Sequence, residues 1–485
     1  MDAPSGDSIR DAADEDIVSV NPADGSVAGT VRSTTAAMLD DAVTRGWYAF
    51  RHSGWKDLLP HRRALVLRAI ADGLTAEKEG LARLQMTDNG KPLAECRGML
   101  ESAIGTFHYY AGVCETIETH VTPQRGEYVS FTVLEPYGVV AAITPWNSPI
   151  MNDATKVAPA LAAGNAVILK PSEDSPLLAP ELARIAVQAG LPRDMLQVVQ
   201  GRGAQLGAAL VSHPGVRMIS FTGGTATGRA IGRAAGERLV PVALELGGKS
   251  PHMVFADADL DQAVSAIVAG IFGSAGQSCV AGSRLFIEAP IYGKVLRRVV
   301  ERARSLRVAK PDAPGVEMGP LASFHHRQRV ADFVGRARAE GGRIQCGGAA
   351  PTGPDFDAGA FYLPTVIDGL GSDALTCQEE AFGPVLVALP FSDEADVVRQ
   401  ANGTAFGLAC GIWTESFKRA WRVGRALDAG SVWINTYKQS VVSTPFGGFK
   451  NSGFGREKGI DGLRLYAQVK SMYLGLHDQP MPVAK

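Results

Sequence analysis

The chain has 485 residues, 46% apolar and 20% charged, with 48 Lys and Arg against 50 Asp and Glu. That balance excludes a disordered chain and gives no basic face for nucleic acid, and the length suggests about three structural units. Six scattered cysteines, Cys96, Cys114, Cys279, Cys346, Cys377 and Cys410, show no CxxC or Cys/His metal spacing. No metal site is expected, and a reducing, cytoplasmic setting is. Residues 1–16 are acidic and rich in small side chains, and read as a short mobile leader without a signal pattern. No apolar run reaches the ~18 residues of a membrane span, so no membrane association is expected.

In chain order, the turn pairs Asn21-Pro22 and Asp24-Gly25 flank short strands. Leu67, Ile70 and Leu74 define one helix face, and Asn89-Gly90-Lys91-Pro92 stops that region. A helix passes through Tyr109 and Tyr110, and residues 121–137 read as extended. From Gly138, strands alternate with helices. The strands are 139–143, 166–169, 196–199, 218–221 and 242–246; the helices include Ser175–Ala189, Ala204–Val211 and Thr225–Ala235. This spacing predicts a parallel, doubly wound sheet with its ligand site at the carboxyl ends of the strands. After Gly248 a second α/β unit follows, with strands at 252–255, 284–288 and 432–435 and a helix from Asp259 to Phe272. Arg297, Arg298, Arg302, Arg304 and Arg307 are spaced as a solvated helix face.

Four segments join reactive side chains to tight turns. Past the first strand, Thr144-Pro145-Trp146-Asn147-Ser148-Pro149 is either a Pro-bounded turn or the carrier of an amide donor, Asn147. Past the second, Lys170-Pro171-Ser172-Glu173 either starts a helix with Ser172 as its cap or offers groups to a ribose. Residues 221–228 place Gly223 and Gly224 between a strand and a helix, where backbone N–H groups can approach a pyrophosphate. Finally, Glu245-Leu246-Gly247-Gly248 and Gly276-Gln277-Ser278-Cys279 pair a carboxylate with a thiol in a small-residue loop. A carboxylate can act as general base toward water, and a thiol as nucleophile.

Taken together, and with Glu379-Glu380-Ala381-Phe382-Gly383-Pro384 and the run from Pro445 to Gly453, these segments resemble the aldehyde dehydrogenase superfamily from about Asn21 to Lys470. The resemblance implies a Rossmann-like doubly wound cofactor domain, an α/β catalytic domain and a small β oligomerisation element. It divides the chain into 17–120 and 138–247 for cofactor, 248–450 for catalysis, and 121–137 with 464–485 for assembly as a homodimer or homotetramer. It implies Cys279 as nucleophile, Asn147 as oxyanion donor, Glu245 as general base, and Lys156 in a proton relay (otherwise a surface lysine). For NAD, with NADP as an alternative, it implies contacts from Ile143, Pro145, Trp146, Lys170, Ser172, Glu173, Gly203, Phe221, Thr222, Gly223, Gly224, Leu246, Glu380 and Phe382. The implied reaction takes an aldehyde to a free acid through a thiohemiacetal and a thioester.

The substrate pocket is expected from Ser148, Asn152, Thr155, Lys438, Ser440 and Phe446. These side chains suit a polar or acidic semialdehyde if Lys438 faces the pocket rather than solvent; Tyr109, Tyr110 and Trp146 would instead bracket an aromatic aldehyde. Two other classes stay open: a non-catalytic dinucleotide-binding relative and a cysteine acyl hydrolase.

Overall fold

The computed structural model describes residues 16–478, so all of the expected leader except Asp16 lies outside the described residues, as does the last part of the tail. Two parallel-type sheets organise the chain. The first runs, edge to edge, Leu196–Val198, Ala166–Lys170, Val139–Ile143, Met218–Thr222, Val242–Glu245 and Gly453–Phe454. All neighbours are parallel except the last pair, in which Gly453 lies antiparallel opposite Glu245. Val139–Ile143 and Ala166–Lys170 are buried at every position, because helices cover both faces of the sheet. The chain reverses its direction of winding between Val139–Ile143 and Met218–Thr222, which opens a crevice at their carboxyl ends.

The second sheet has the order Arg343–Cys346, Thr365–Asp368, Val385–Phe391, Arg284–Glu288, Pro251–Val254, Ala409–Trp413 and Ser431–Ile434. Only Arg343–Cys346 is antiparallel to its neighbour. Each sheet has its own apolar core. The first extends from Leu39 to Leu246 and includes Leu463 and Tyr466; the second extends from Met253 to Leu427. Leu67, Ile70 and Leu74 are fully buried in the first, on the helix Pro60–Ala76. Asp259 caps the helix Leu260–Phe272 by accepting from the Asp261 and Gln262 amides. Among the described residues no helix is long and apolar enough to cross a membrane.

A third, three-stranded antiparallel sheet joins Val121–Thr122, Tyr128–Pro136 and Ala467–Gly475. The expected extended stretch is thus two strands, paired with the tail.

Two predicted helices differ from the sequence reading. The helix expected from Ser175 begins at Leu178 and ends at Gln188. Pro176 biases Ser175 away from helical backbone, so the turn cannot start there. Ser172 therefore caps no helix; its Oγ accepts the Asp174 N–H within the turn. The helix expected over Ala204–Val211 starts as a π-turn, Gly203–Gly207, before the α-helix Ala208–Ser212. Apolar periodicity does not separate one wide turn from an α turn.

Candidate active site

The crevice opens into a cavity of about 560 Å³ that brings together Asn147, Glu245, Cys279, Glu380, Phe382 and Glu457. Segments more than 300 residues apart in sequence meet there because both sheets direct their connecting loops toward the same opening.

Cys279 follows the helix Leu260–Phe272 and a tight turn at Gly273–Gly276. Ser274 and Ala275 both have left-handed backbone, φ 58° and 52°. The Glu95 carboxylate holds this turn by accepting from the Ser274 amide and hydroxyl at 3.0 and 2.6 Å. Gly276 has φ +71°, and a Cβ there would lie 2.1 Å from the Gly383 carbonyl oxygen. A Cβ on Gly248 would lie 2.4 Å from the Cys279 carbonyl oxygen. The two glycine motifs are therefore what lets these backbones close around the thiol.

Cys279 is half-buried, while the other five thiols are buried. Its backbone N–H donates to no group among the described residues. Asn147 is fixed beside it: Nδ2 donates to the Gln277 carbonyl at 3.0 Å, and Oδ1 accepts from Asn152 Nδ2 at 3.4 Å. Burial pushes the Cys279 thiol up to about 12; Glu380 and Glu245 add to the shift, and Lys438 and Lys458 oppose it.

Glu245 is 4% exposed, and neither carboxylate oxygen has a hydrogen-bond partner among the described residues. Burial, reinforced by Glu457, holds it well above the usual carboxylate range. Glu457 is buried too, but it is paired. Lys156 Nζ donates to Glu457 Oε1 and, at 2.9 Å, to Ser220 Oγ, which also accepts from Tyr466 OH at 2.9 Å. Lys156 is 1% exposed, so the surface alternative is ruled out.

On the adjoining side, Pro145, Trp146, Thr222, Gly223, Gly224 and Leu246 line the cavity. Gly224 starts the helix Thr225–Glu237, whose first amides point toward the crevice. The Thr222 Oγ1 is buried without a partner. Phe221 underlies Gly223 rather than lining the cavity: a Cβ on Gly223 would meet its ring at 2.4 Å. Ile143 is likewise buried outside the cavity lining. Glu380 accepts from the Gly248 amide at 2.9 Å, and burial pushes it up to about 7. Phe382 has left-handed backbone, φ 50°, and its ring meets Trp146 edge-on at 5.2 Å. His326, pushed down to about 4 by burial, donates Nε2–H to the Phe382 carbonyl at 2.7 Å.

A second cavity of about 470 Å³ adjoins the other end of the crevice, bordered by Glu173, Gly201 and Gln205. Glu173 Oε1 accepts from the Gly203 amide at 3.0 Å, and Lys170 stands 3.6 Å from Oε2. Ser172 does not line this cavity.

Ser148, Asn152, Thr155, Lys438, Ser440 and Phe446 all border the main cavity. Lys438 is therefore a cavity residue, not a solvent-facing one. The proposed aromatic bracket fails. Tyr110 is fully buried in the first core and donates to the Gly459 carbonyl at 3.3 Å, and Tyr109 does not line the cavity. Both belong to a core helix, Leu93–Thr116, whose periodicity points them at its packing partners. Only Trp146 reaches the cavity, beside Phe382.

Sequence reasoning missed Glu457, Lys458, His326 and Arg329, which border the cavity. Glu457 and Lys458 arrive because Gly453–Phe454 pairs with Val242–Glu245, a contact across more than 200 residues that no local pattern signals.

A doubly wound sheet with a glycine-lined helix N-terminus at its switch point, facing a thiol and an unpaired carboxylate, defines a dinucleotide-linked oxidoreductase. The aldehyde dehydrogenase family model matches residues 9–472, and the chain belongs to that family. It is 40% identical over 465 residues to (Z)-2-((N-methylformamido)methylene)-5-hydroxybutyrolactone dehydrogenase of Acinetobacter baylyi, covering 96% of this chain and 94% of that one. It is 41% identical over 469 residues to a betaine aldehyde dehydrogenase of Cereibacter sphaeroides, covering 96% and 95%. The NAD+ complex of an aldehyde dehydrogenase from Bacillus cereus superposes with a TM-score of 0.93 at 34% identity, covering 98% of this chain and 99% of that one.

Proposed function

We propose that this aldehyde dehydrogenase oxidises a polar or acidic aldehyde to the free carboxylic acid with NAD, using Cys279 as nucleophile and Glu245 as general base. The observation that carries the reading is the buried, unpartnered Glu245 carboxylate sharing one cavity with the Cys279 thiol.

Cys279 Sγ adds to the aldehyde carbon, and its proton passes to a base in the cavity. The oxygen that gains charge faces the Asn147 amide and the free Cys279 N–H, and the second Asn147 hydrogen is available to it. The residues fit NAD: the orphaned Thr222 hydroxyl, the Gly223-Gly224 cradle and the amides opening Thr225–Glu237 suit a pyrophosphate, and Glu173 suits a ribose. When bound, NAD supplies the acceptor for the hydride that leaves the thiohemiacetal carbon. Glu245, in its ionised form, takes a proton from water, which cleaves the thioester. Lys156 and Glu457 lead that proton away from the cavity, supported by their buried contact. Glu173 favours NAD over NADP, because its carboxylate repels a 2′-phosphate.

We assign 17–120 with 138–247 to cofactor binding and 248–450 to catalysis, in keeping with the two cores. The segments 121–137 and 464–485 are assigned to pairing between copies, as a homodimer or a homotetramer, supported by Val469, Tyr473 and Leu474 exposed on the edge strand. Six free thiols suit a cytoplasmic setting.

The test follows nicotinamide absorbance with a panel of carboxylated, neutral and aromatic aldehydes and with NAD or NADP. Reduction of NAD is expected, and its loss by at least about 10⁴-fold in Cys279→Ala. Equal activity in that variant overturns the mechanism.

A further inference from the structure

We propose that Lys458 and Lys438 together form a two-ammonium seat for a carboxylate on the aldehyde, so the substrate class is an aldehyde with an anionic carboxylate at the end remote from the reacting carbon. The proposal rests on the dehydrogenase reading above and names the substrate class of the same site.

The two lysines come from separate loops, one after the strand Ser431–Ile434 and one before the helix Gly459–Arg464. Both border the cavity that holds Cys279. Both have left-handed backbone, φ 56° for Lys438 and 62° for Lys458. That conformation is unfavourable for a side chain with a Cβ and persists only where the surroundings hold it. Here it recurs at two cations on one cavity.

Neither ammonium forms an ion pair with a carboxylate among the described residues. Lys438 has no ion pair or hydrogen bond among the described residues. Lys458 donates to the Ser440 hydroxyl at 2.7 Å and lies 5.5 Å over the Phe446 ring. The cavity's acids are engaged elsewhere: Glu457 is bound by Lys156, Glu380 accepts from Gly248, and Glu245 is held toward its neutral form. Desolvation lowers both lysines, Lys438 to about 8, and outweighs the opposing pull of Glu95 on Lys438 and of Glu457 and Glu245 on Lys458. A bound carboxylate would supply a counter-ion, with the Ser440 hydroxyl as a further donor. A quaternary ammonium would meet two like charges instead of an aromatic cage.

The experiment compares succinic semialdehyde with its neutral methyl ester, using the full-length protein and NAD. The readout is the ratio of kcat/KM for acid over ester in wild type, Lys458→Met, Lys438→Met and Lys458→Arg. Each methionine variant is expected to lower the ratio about tenfold, mainly through KM for the acid, the scale of one charged contact. Lys458→Arg is expected to keep most of the ratio. An unchanged ratio in both methionine variants overturns the seat while the dehydrogenase reading stands. A second assay needs no turnover: alkylation of Cys279 by iodoacetate against iodoacetamide, followed by mass spectrometry. Should wild type reduce NAD with no aldehyde, the dehydrogenase reading fails. A fall in the iodoacetate preference in the methionine variants then still supports the seat, and no fall overturns it as well.

Discussion

The cavity has two walls built by different means. One is the carboxyl edge of the first sheet: Asn147, Thr222–Gly224 and Glu245 lie at or shortly past the ends of parallel strands. The other consists of loops, with Lys438, Ser440, Phe446, Glu457 and Lys458 set by strained or irregular backbone. The first wall presents backbone amides and acids at positions that any sheet of this kind offers. The second presents side chains whose identity can change without disturbing a sheet. The residues assigned to the oxyanion, the cofactor cradle and the attacking water thus sit on the sheet wall, the lysines assigned to substrate choice sit on the loop wall, and Cys279 stands on a loop of its own between them.

The largest effect that would break this division comes from Glu245. Glu245→Gln is expected to keep the first burst of NADH formation while slowing steady turnover by about 10²–10⁴. Stopped-flow and steady-state absorbance measure the two phases, and wild-type turnover would remove Glu245 from the base role.

Asn147→Ala comes next, with an expected loss in kcat of about 10²–10³, as for removal of one oxyanion donor. A change in KM alone would move Asn147 from chemistry to substrate binding.

The smallest effect sharpens the electrostatic contrast between the walls. The thiol is pushed up first by burial and then by Glu380 and Glu245, and it is pulled down by the lysines. A raised thiol is protonated at neutral pH, so Cys279 alkylation by iodoacetamide should rise with pH through the alkaline range. Glu245→Gln removes a carboxylate that raises the thiol and should move that rise to lower pH. Lys438→Met should move it upward by less, because Lys438 itself loses its proton near 8. Opposite signs would reverse the assignment of the two walls.

Much of the strand wall was legible in the sequence. The apolar run Val139–Ile143 is a strand because its residues are buried on both faces, and the turns after it carry Asn147 as expected. The glycines of 247–248 and 276 mark where backbones approach closely, which is why they stand out locally. Reading failed where local pattern had two outcomes. Ser172 has the chemistry of a helix cap, but Pro176 delays the helix to Leu178. Tyr110 has the chemistry of a stacking partner, but its helix face packs into the core.

The sequence by itself determined the doubly wound alternation and the family, and it pointed to the thiol and carboxylate of the proposed reaction. Those signals lie within strands and the turns next to them, where periodicity and glycine act over a few residues. Only the tertiary structure decided that Lys156 is buried against Glu457, that Lys438 faces the cavity, and that Lys458 stands with it. Glu457 and Lys458 depend on the antiparallel pairing of Gly453–Phe454 with Val242–Glu245, and Lys438 on the place of Ser431–Ile434 in the second sheet; pairings between distant segments leave no local trace.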